Sequence, residues 1–284
     1  MILSSARRSL RCAQRRALRV RRAGCRIAIA LLIASAAAGS APAQIAINRT
    51  EIVFRTLPNA SHVALIDLHN EGGERVQAMV RLEDWDRAQD GTNNWYPYET
   101  TPGSCAKALT VFPLSVSLEP GARQSVRVSL DSSTTLDHEC WAGAIVETVQ
   151  PRITGGRSVA YVIRTATKIY VQPATTLPAR GEVVGLRIAS LPGDAASAGG
   201  VDLLLEFQNT GGRHLITPGE VQFRRPDNSI AATAKLPTLY TLPGATSTAK
   251  ILVPKLAPGR YVILAVLDYG GDELAAGQIE HVVH

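Results

Sequence analysis

The chain has 284 residues, with 30 basic and 24 acidic side chains and a formal net charge of +6. Nine arginines crowd into the first twenty-six residues (Arg7, Arg8, Arg11, Arg15, Arg16, Arg19, Arg21, Arg22 and Arg26), with no acid among them. With these set aside, twenty-one basic side chains face twenty-four acids, a net charge of −3, which excludes the basic folded surface that nucleic-acid binding needs.

The arginine-rich start leads into an apolar run, Ile27 to Ala38, and then to Ala41-Pro42-Ala43. That order predicts a signal peptide over residues 1–43 and a mature start near residue 44. A run of roughly a dozen apolar residues is shorter than the ~20 a spanning helix needs. No other segment is long and apolar enough, so no membrane insertion is expected. Cys25 precedes the apolar run rather than ending it, which argues against a lipoprotein. The mature 241 residues suffice for two domains, each with its own core.

From residue 44 onward the pattern is period two. Val76, Ala78, Val80 and Leu82 alternate with Gln77, Met79, Arg81 and Glu83; Val126, Val128 and Leu130 alternate with Ser125, Arg127 and Ser129. Turn signals separate such stretches: Asn70-Glu71-Gly72-Gly73, Gln89-Asp90-Gly91, Pro120-Gly121 and Gly155-Gly156. The second half repeats the style. Val201, Leu203, Leu205 and Phe207 alternate against Asp202, Leu204, Glu206 and Gln208 before Asn209-Thr210-Gly211-Gly212, and Tyr261 to Leu267 ends at Asp268-Tyr269-Gly270-Gly271. Many short strands about ten residues apart predict an all-β chain with a sandwich in each half. The proline-bearing stretch after Pro173 marks the joint, giving domains 44–173 and 174–284.

After cleavage only Cys105 and Cys140 remain. An exported chain meets an oxidising compartment, so one disulfide is expected, stabilising the fold by roughly 3 to 4 kcal/mol on the chain-entropy account. No C-x-x-C and no histidine pair at H-x-x-x-H or H-E-x-x-H spacing occurs, and no G-x-S-x-G elbow is present. The segment Asp84-Trp85-Asp86 with Asp90-Gly91 fails the calcium-loop spacing, and two N-x-S/T sequons, at Asn48 and Asn59, read as accidental. No metal, no cofactor and no catalytic role are expected.

Four ordered segments carry a resemblance: Leu118-Glu119-Pro120-Gly121 with Ser125-Val126-Arg127-Val128; Glu139 to Pro151; Thr167-Lys168-Ile169-Tyr170-Val171-Gln172-Pro173; and Asp268-Tyr269-Gly270-Gly271. Together they resemble the PapD-like periplasmic chaperones of pilus assembly. The resemblance implies two immunoglobulin-like β-sandwich domains set at an angle, and a periplasmic chaperone without ATP or cofactor. It would bind pilus or fimbrial subunits by donor-strand complementation, lending an edge strand to an incomplete fold, and deliver them to an outer-membrane usher. Over Ser158 to Gln172, Val159, Tyr161 and Ile163 would enter the subunit; alternation alone favours this chain's own core, since core strands are far commoner than donor strands, and it is the resemblance that implies donation. Gapless matching places a short connection at Pro151 to Arg157.

Lys168 falls on the lysine of the family's carboxylate-binding pair, although a solvated edge-strand lysine is the plain alternative. The partner arginine is missing, because Glu51 stands at its place in Ile47 to Phe54. Three explanations stay open: Arg49 or Arg55 takes the role, the anchor is a different one, or anchoring is lost. Arg127, Glu139 and Asp268 match a charged trio that ties the two domains together. Self-association through the donor strand is a further implied partner mode. The alternative of a different class is an exported two-domain structural or adhesive sandwich without chaperone activity.

Overall fold

The computed structural model describes residues 45–154, 157–190 and 201–283. The expected signal peptide with its cleavage point, and the Gly155-Gly156 turn, lie outside the described residues. Ten strands come first: β1 (Ile45–Ile47), β2 (Glu51–Arg55), β3 (Val63–Asn70), β4 (Val76–Arg87), β5 (Asn93–Tyr96), β6 (Leu109–Phe112), β7 (Ser115–Leu118), β8 (Arg123–Leu130), β9 (Cys140–Thr154) and β10 (Arg157–Gln172). Seven follow: β11 (Gly181–Ser190), β12 (Val201–Asn209), β13 (Leu215–Arg224), β14 (Ile230–Thr241), β15 (Thr246–Leu252), β16 (Gly259–Leu267) and β17 (Ala275–Val283).

The first ten strands form two facing sheets, β1-β3-β8-β6 and β2-β10-β9-β4-β5, with β7 paired to β4. Period two places one face of each on a shared core. Val76, Ala78 and Val80 from one sheet and Ile66, Leu68, Val126 and Val128 from the other are all buried there. The later strands form β11-β12-β15 and β14-β13-β16-β17, closing on Leu203, Leu205, Phe207, Val221, Phe223, Ile263 and Leu267. The chain is thus all-β, as expected, with two sandwiches.

Both sandwiches use the same corner. Asn70, wholly buried at the end of β3, donates from Nδ2 to the carbonyls of Glu74 and Leu118 and accepts from the N–H of Gly72. Its backbone pairs with Gly121 and Ala122 of the facing sheet's turn. Asn209, at the end of β12, repeats this: Nδ2 reaches the carbonyls of Arg213 and Thr241, Oδ1 takes the N–H of Gly211, and the backbone pairs with Gly244 and Ala245. The turn glycines sit at φ 75 and φ 74, a left-handed conformation in which a side chain is costly. The N-x-G-G and P-G-A signals of each half are therefore two sides of one joint.

A correction concerns the connection before β10. Pro151 to Thr154 continue β9, with Pro151 opposite Ala160 and Thr154 opposite Arg157. The ladder runs on past Pro151, leaving only residues 155 and 156 between the strands, so the expected loop at Pro151 to Arg157 is mostly hairpin.

Asn209→Ala should cost about 2 to 3 kcal/mol, because two carbonyls and one N–H lose a buried partner at once. Urea unfolding checks this; a change under about 1 kcal/mol would mean the corner holds without its amide.

Candidate functional site

Strand β10 is sixteen residues long, about 50 Å of extended chain. Along one edge it pairs with β9 from Arg157 to Val171. Along the other, β2 joins it in parallel only from Lys168 to Gln172. The junction is fixed by two bonds: the Lys168 N–H donates to the Thr50 carbonyl at 2.8 Å, and the Thr167 hydroxyl donates to the Arg49 carbonyl at 2.8 Å. Since the Lys168 N–H points toward β2, alternation aims the N–H groups of Ala166, Arg164, Val162 and Ala160 the same way. Among the described residues no strand lies along that stretch of edge.

The side chains of Val159, Tyr161 and Ile163 lie on the face that, further along, buries Thr167, Ile169 and Val171 completely. They themselves are 41%, 46% and 38% exposed. The alternation is that of a core strand, but these three are not enclosed by this chain's own core. The opposite face carries Arg164, which joins Glu83 and Glu147, both also bound by Arg81.

At the β2 end of this edge the outer face of the sheet turns aromatic. Trp85, Tyr170 and Leu242 form a buried cluster, with Trp95, Trp141 and Ala245 packed against it. Leu242 and Ala245 come from the second sandwich, whose Thr248 N–H also bonds the Gln89 carbonyl at 2.6 Å. Trp95 fits because its neighbour is Gly143; a Cβ there would stand 2.3 Å from the ring.

Lys168 projects over the Trp85 ring, with Nζ 5.1 Å from the centroid. Arg87 lies over the same ring at 5.8 Å and over Tyr240 at 5.3 Å. Burial, then the Arg87 charge, hold the Lys168 amine below its ordinary range, against the opposing pull of Glu51. The two arginines expected as stand-ins take other places. Arg55 bonds the Gln172 side chain at 3.3 Å and lines a cleft with Thr175, Thr176, Leu177 and Arg213. Arg49 is exposed just before β2. The cation whose charge reaches Lys168 is Arg87, which sequence reasoning missed. Its signal was the outward series Glu83, Trp85 and Arg87 on β4.

The charged trio is not assembled. Alternation puts Arg127 on the outer, exposed face of β8, in the sheet opposite Glu139, and Asp268 accepts the N–H of Gly270 within its own turn. Glu139 is buried, and its partners are His214 and Gln172. The His214 backbone N–H meets Oε1 at 2.6 Å, His214 Nδ1 lies 2.9 Å from Oε1, and the Gln172 amide donates to Oε2 at 2.8 Å. His214 stacks on Tyr170 with centroids 3.8 Å apart. The second sandwich therefore grips the first through a histidine that no motif marked.

Cys105 and Cys140 are buried neighbours and free thiols; a hydrogen bond to Cys140, with burial, pushes the Cys105 thiol far above its ordinary range. Asp84 builds the loop that brings Cys105 there. Burial raises its pKa, but the Ser104 hydroxyl and the N–H groups of Thr101 and Thr100 outweigh that and hold the carboxyl low. Among the described residues no cluster of His, Cys, Asp and Glu could hold a metal ion, and no helix is long and apolar enough to cross a membrane.

No family model and no curated protein matches the chain. Solved structures similar to it are fimbrial and pilus chaperones. The YadV chaperone is 17% identical, with a TM-score of 0.43 over 84% of this chain and 100% of that one. The CupB2 chaperone of Pseudomonas aeruginosa is 14% identical, with a TM-score of 0.41 over 84% and 100%. A structure of the Salmonella enterica SafA pilin in complex with the SafB chaperone matches at 14% identity and a TM-score of 0.41, over 84% and 96%. At these identities the likeness concerns the fold alone.

Lys168 generates a pH prediction. Its folded pKa is depressed below 10.5, so the unfolded chain binds more protons between those two values and stability rises with pH across that window. Below the window the cost of the charge is fully present. Lys168→Met should raise the urea midpoint at neutral pH and flatten the alkaline rise. A lowered midpoint would mean that Trp85 and Glu51 hold the ammonium favourably.

Proposed function

We propose that this protein is a periplasmic chaperone for pilus or fimbrial subunits, acting by donor-strand complementation and passing its cargo to an outer-membrane usher. In this reading domain 44–173 lends β10 and domain 174–284 completes the cleft. The observation that carries it is the half-occupied edge of β10. A strand with backbone groups aimed outward and apolar side chains half exposed beside them is a template for another chain. An immunoglobulin-like subunit lacking a strand offers the complement: a row of backbone donors and acceptors and an apolar groove for alternate side chains.

The chemistry is non-covalent. Backbone bonds from Ala160 to Ala166 supply generic affinity; Val159, Tyr161 and Ile163 fill the groove and set the fit. The lane is closed at Lys168, because β2 already occupies it, so a guest strand ends there. Lys168 at that stop suits a terminal carboxylate, which a cation in a partly desolvated setting binds more strongly than it does in water. We place no catalytic step and no cofactor in the scheme.

Co-expression with a subunit encoded beside this gene tests the reading. Ile163→Asp should abolish recovery of the subunit while the chaperone stays folded, since burying a carboxylate in an apolar groove costs several kcal/mol. Lys168→Ala should lower recovery. Unchanged yield in both variants sinks donor-strand capture.

We further propose that Cys105 and Cys140 close to a disulfide after export. Protein purified from the periplasm should give the Cys105–Cys140 peptide pair in a non-reducing digest, and Cys105→Ala with Cys140→Ala should unfold about 3 kcal/mol more easily than the oxidised protein. Free thiols in periplasmic material would refute it.

A further inference from the structure

Apolar burial does little to hold the stretch of β10 beside the open edge. On its inner face Val159, Tyr161 and Ile163 are 41%, 46% and 38% exposed, and on its outer face Val162 stands opposite Val149, each 57% exposed. Among the described residues a single ladder, to β9, supplies the backbone bonds of this stretch. A strand so placed opens locally unless side chains tie it down.

Arg164 is such a tie. Its Nη2 donates to the Glu83 carboxylate, and its Nε lies 3.6 Å from that of Glu147, its partner in the ladder. Glu83 belongs to β4, and β9 runs between β4 and β10, so the contact reaches over a whole strand. Arg81, also on β4, closes the group: its Nε donates to Glu83 at 2.8 Å and its Nη2 to Glu147 at 2.7 Å. Two guanidiniums and two carboxylates thus join three strands with no net charge. Isolated surface ion pairs contribute little. Here the pairs share partners, and the Glu83 and Glu147 side chains are only 11% and 24% exposed. The Arg81 hydrogen bond keeps the Glu147 carboxyl below its ordinary range, so that acid is charged at neutral pH.

We propose that Arg164 is a positioning residue for capture: with Arg81, Glu83 and Glu147 it straps the open-edge strand to its sheet, so that the backbone groups from Ala160 to Ala166 stand extended before a guest arrives. This rests on the open-edge function proposed above and deepens it. The Arg164 side chain lies on the face away from Val159, Tyr161 and Ile163, and acts without meeting the guest's groove. A strand that is competent for only part of the time binds in proportion to that fraction. The strap therefore works on capture through the order of β10.

The test begins with amide hydrogen exchange in the mature protein without any guest. Since the Lys168 N–H goes to β2, alternation turns the N–H groups of Tyr161, Ile163 and Thr165 toward β9. Arg164→Met should speed exchange at these three about fivefold or more, and leave Val126 and Val128 in the facing sheet unchanged. Arg164→Lys should recover part of the protection, because an ammonium cannot bridge two carboxylates as a guanidinium fork does. Arg164→Met combined with Glu147→Gln restores charge balance and should still exchange fast. Wild-type protection in that double variant would mean that a stray charge loosened the strand, and it overturns the inference. Unchanged exchange in Arg164→Met overturns it too, as does a rise shared by Val126 and Val128.

The second measurement is the association rate with a subunit encoded beside this gene, which should fall about threefold or more in Arg164→Met, in step with the loss of competent strand. A wild-type rate despite loosened amides overturns the role in capture. If wild type captures no subunit, the open-edge function falls and the role in capture with it, whereas exchange in the free protein still decides whether the strap exists.

Discussion

A strand in a sheet has two edges, each presenting a backbone donor and acceptor every second residue, and those groups have to be satisfied somewhere. Among the described residues, β10 meets a strand of its own chain on one edge only over its first eleven residues. Everything proposed for this protein grows from that asymmetry. Long apolar edges invite aggregation, and proteins commonly guard them with charge, bulges or covering segments. Here Arg164, bound to Glu83 and Glu147, charges the outer face of the hairpin, while Val159, Tyr161 and Ile163 leave the inner face apolar. The protection is one-sided, which is what the proposed reading requires of this edge.

The second sandwich matters because of where it touches the first. Leu242 and Ala245 close the Trp85–Tyr170 cluster, Thr248 bonds Gln89, and His214 meets the buried Glu139 carboxylate. All of these contacts fall beside the end of the β10 lane. Glu139 would be costly in that setting without His214 and Gln172, so the seam has a defined arrangement rather than a loose apolar contact. The joint also fixes Arg87 through Tyr240. In the proposed scheme the far domain would thereby shape the site without supplying the strand.

Period two, turn residues and the position of the apolar segments made the all-β class and the two sandwiches legible in the sequence, and the N-x-G-G and P-G pairs marked the corners. Those features are local, and each residue reports its own face. The site was legible in part: the strand β10 follows from alternation, but alternation alone suits a core strand, and the exposure of Val159, Tyr161 and Ile163 depends on the neighbour that the sheet lacks among the described residues. The rest depends on contacts between residues far apart in the chain. Glu139 meets His214 seventy-five residues later, and Arg87 and Lys168 reach the same Trp85 ring from different strands of the sheet. Arg127 was misplaced because its own alternation with Val126 and Val128 turns it away from the seam. The strand content of Pro151 to Thr154 was hidden by a proline that usually ends a ladder.

In the proposed scheme the head of β2 would act as a doorstop. A guest strand laid along β10 would be halted at the same atom pair, the Lys168 N–H and the Thr50 carbonyl, so its residues would be counted from a fixed zero. Because side chains alternate, a guest one residue too long or too short would turn its apolar set outward. A short five-residue strand, with no chemistry of its own, would thus work as the origin of a ruler, and selectivity among guests would become a matter of length as much as of composition.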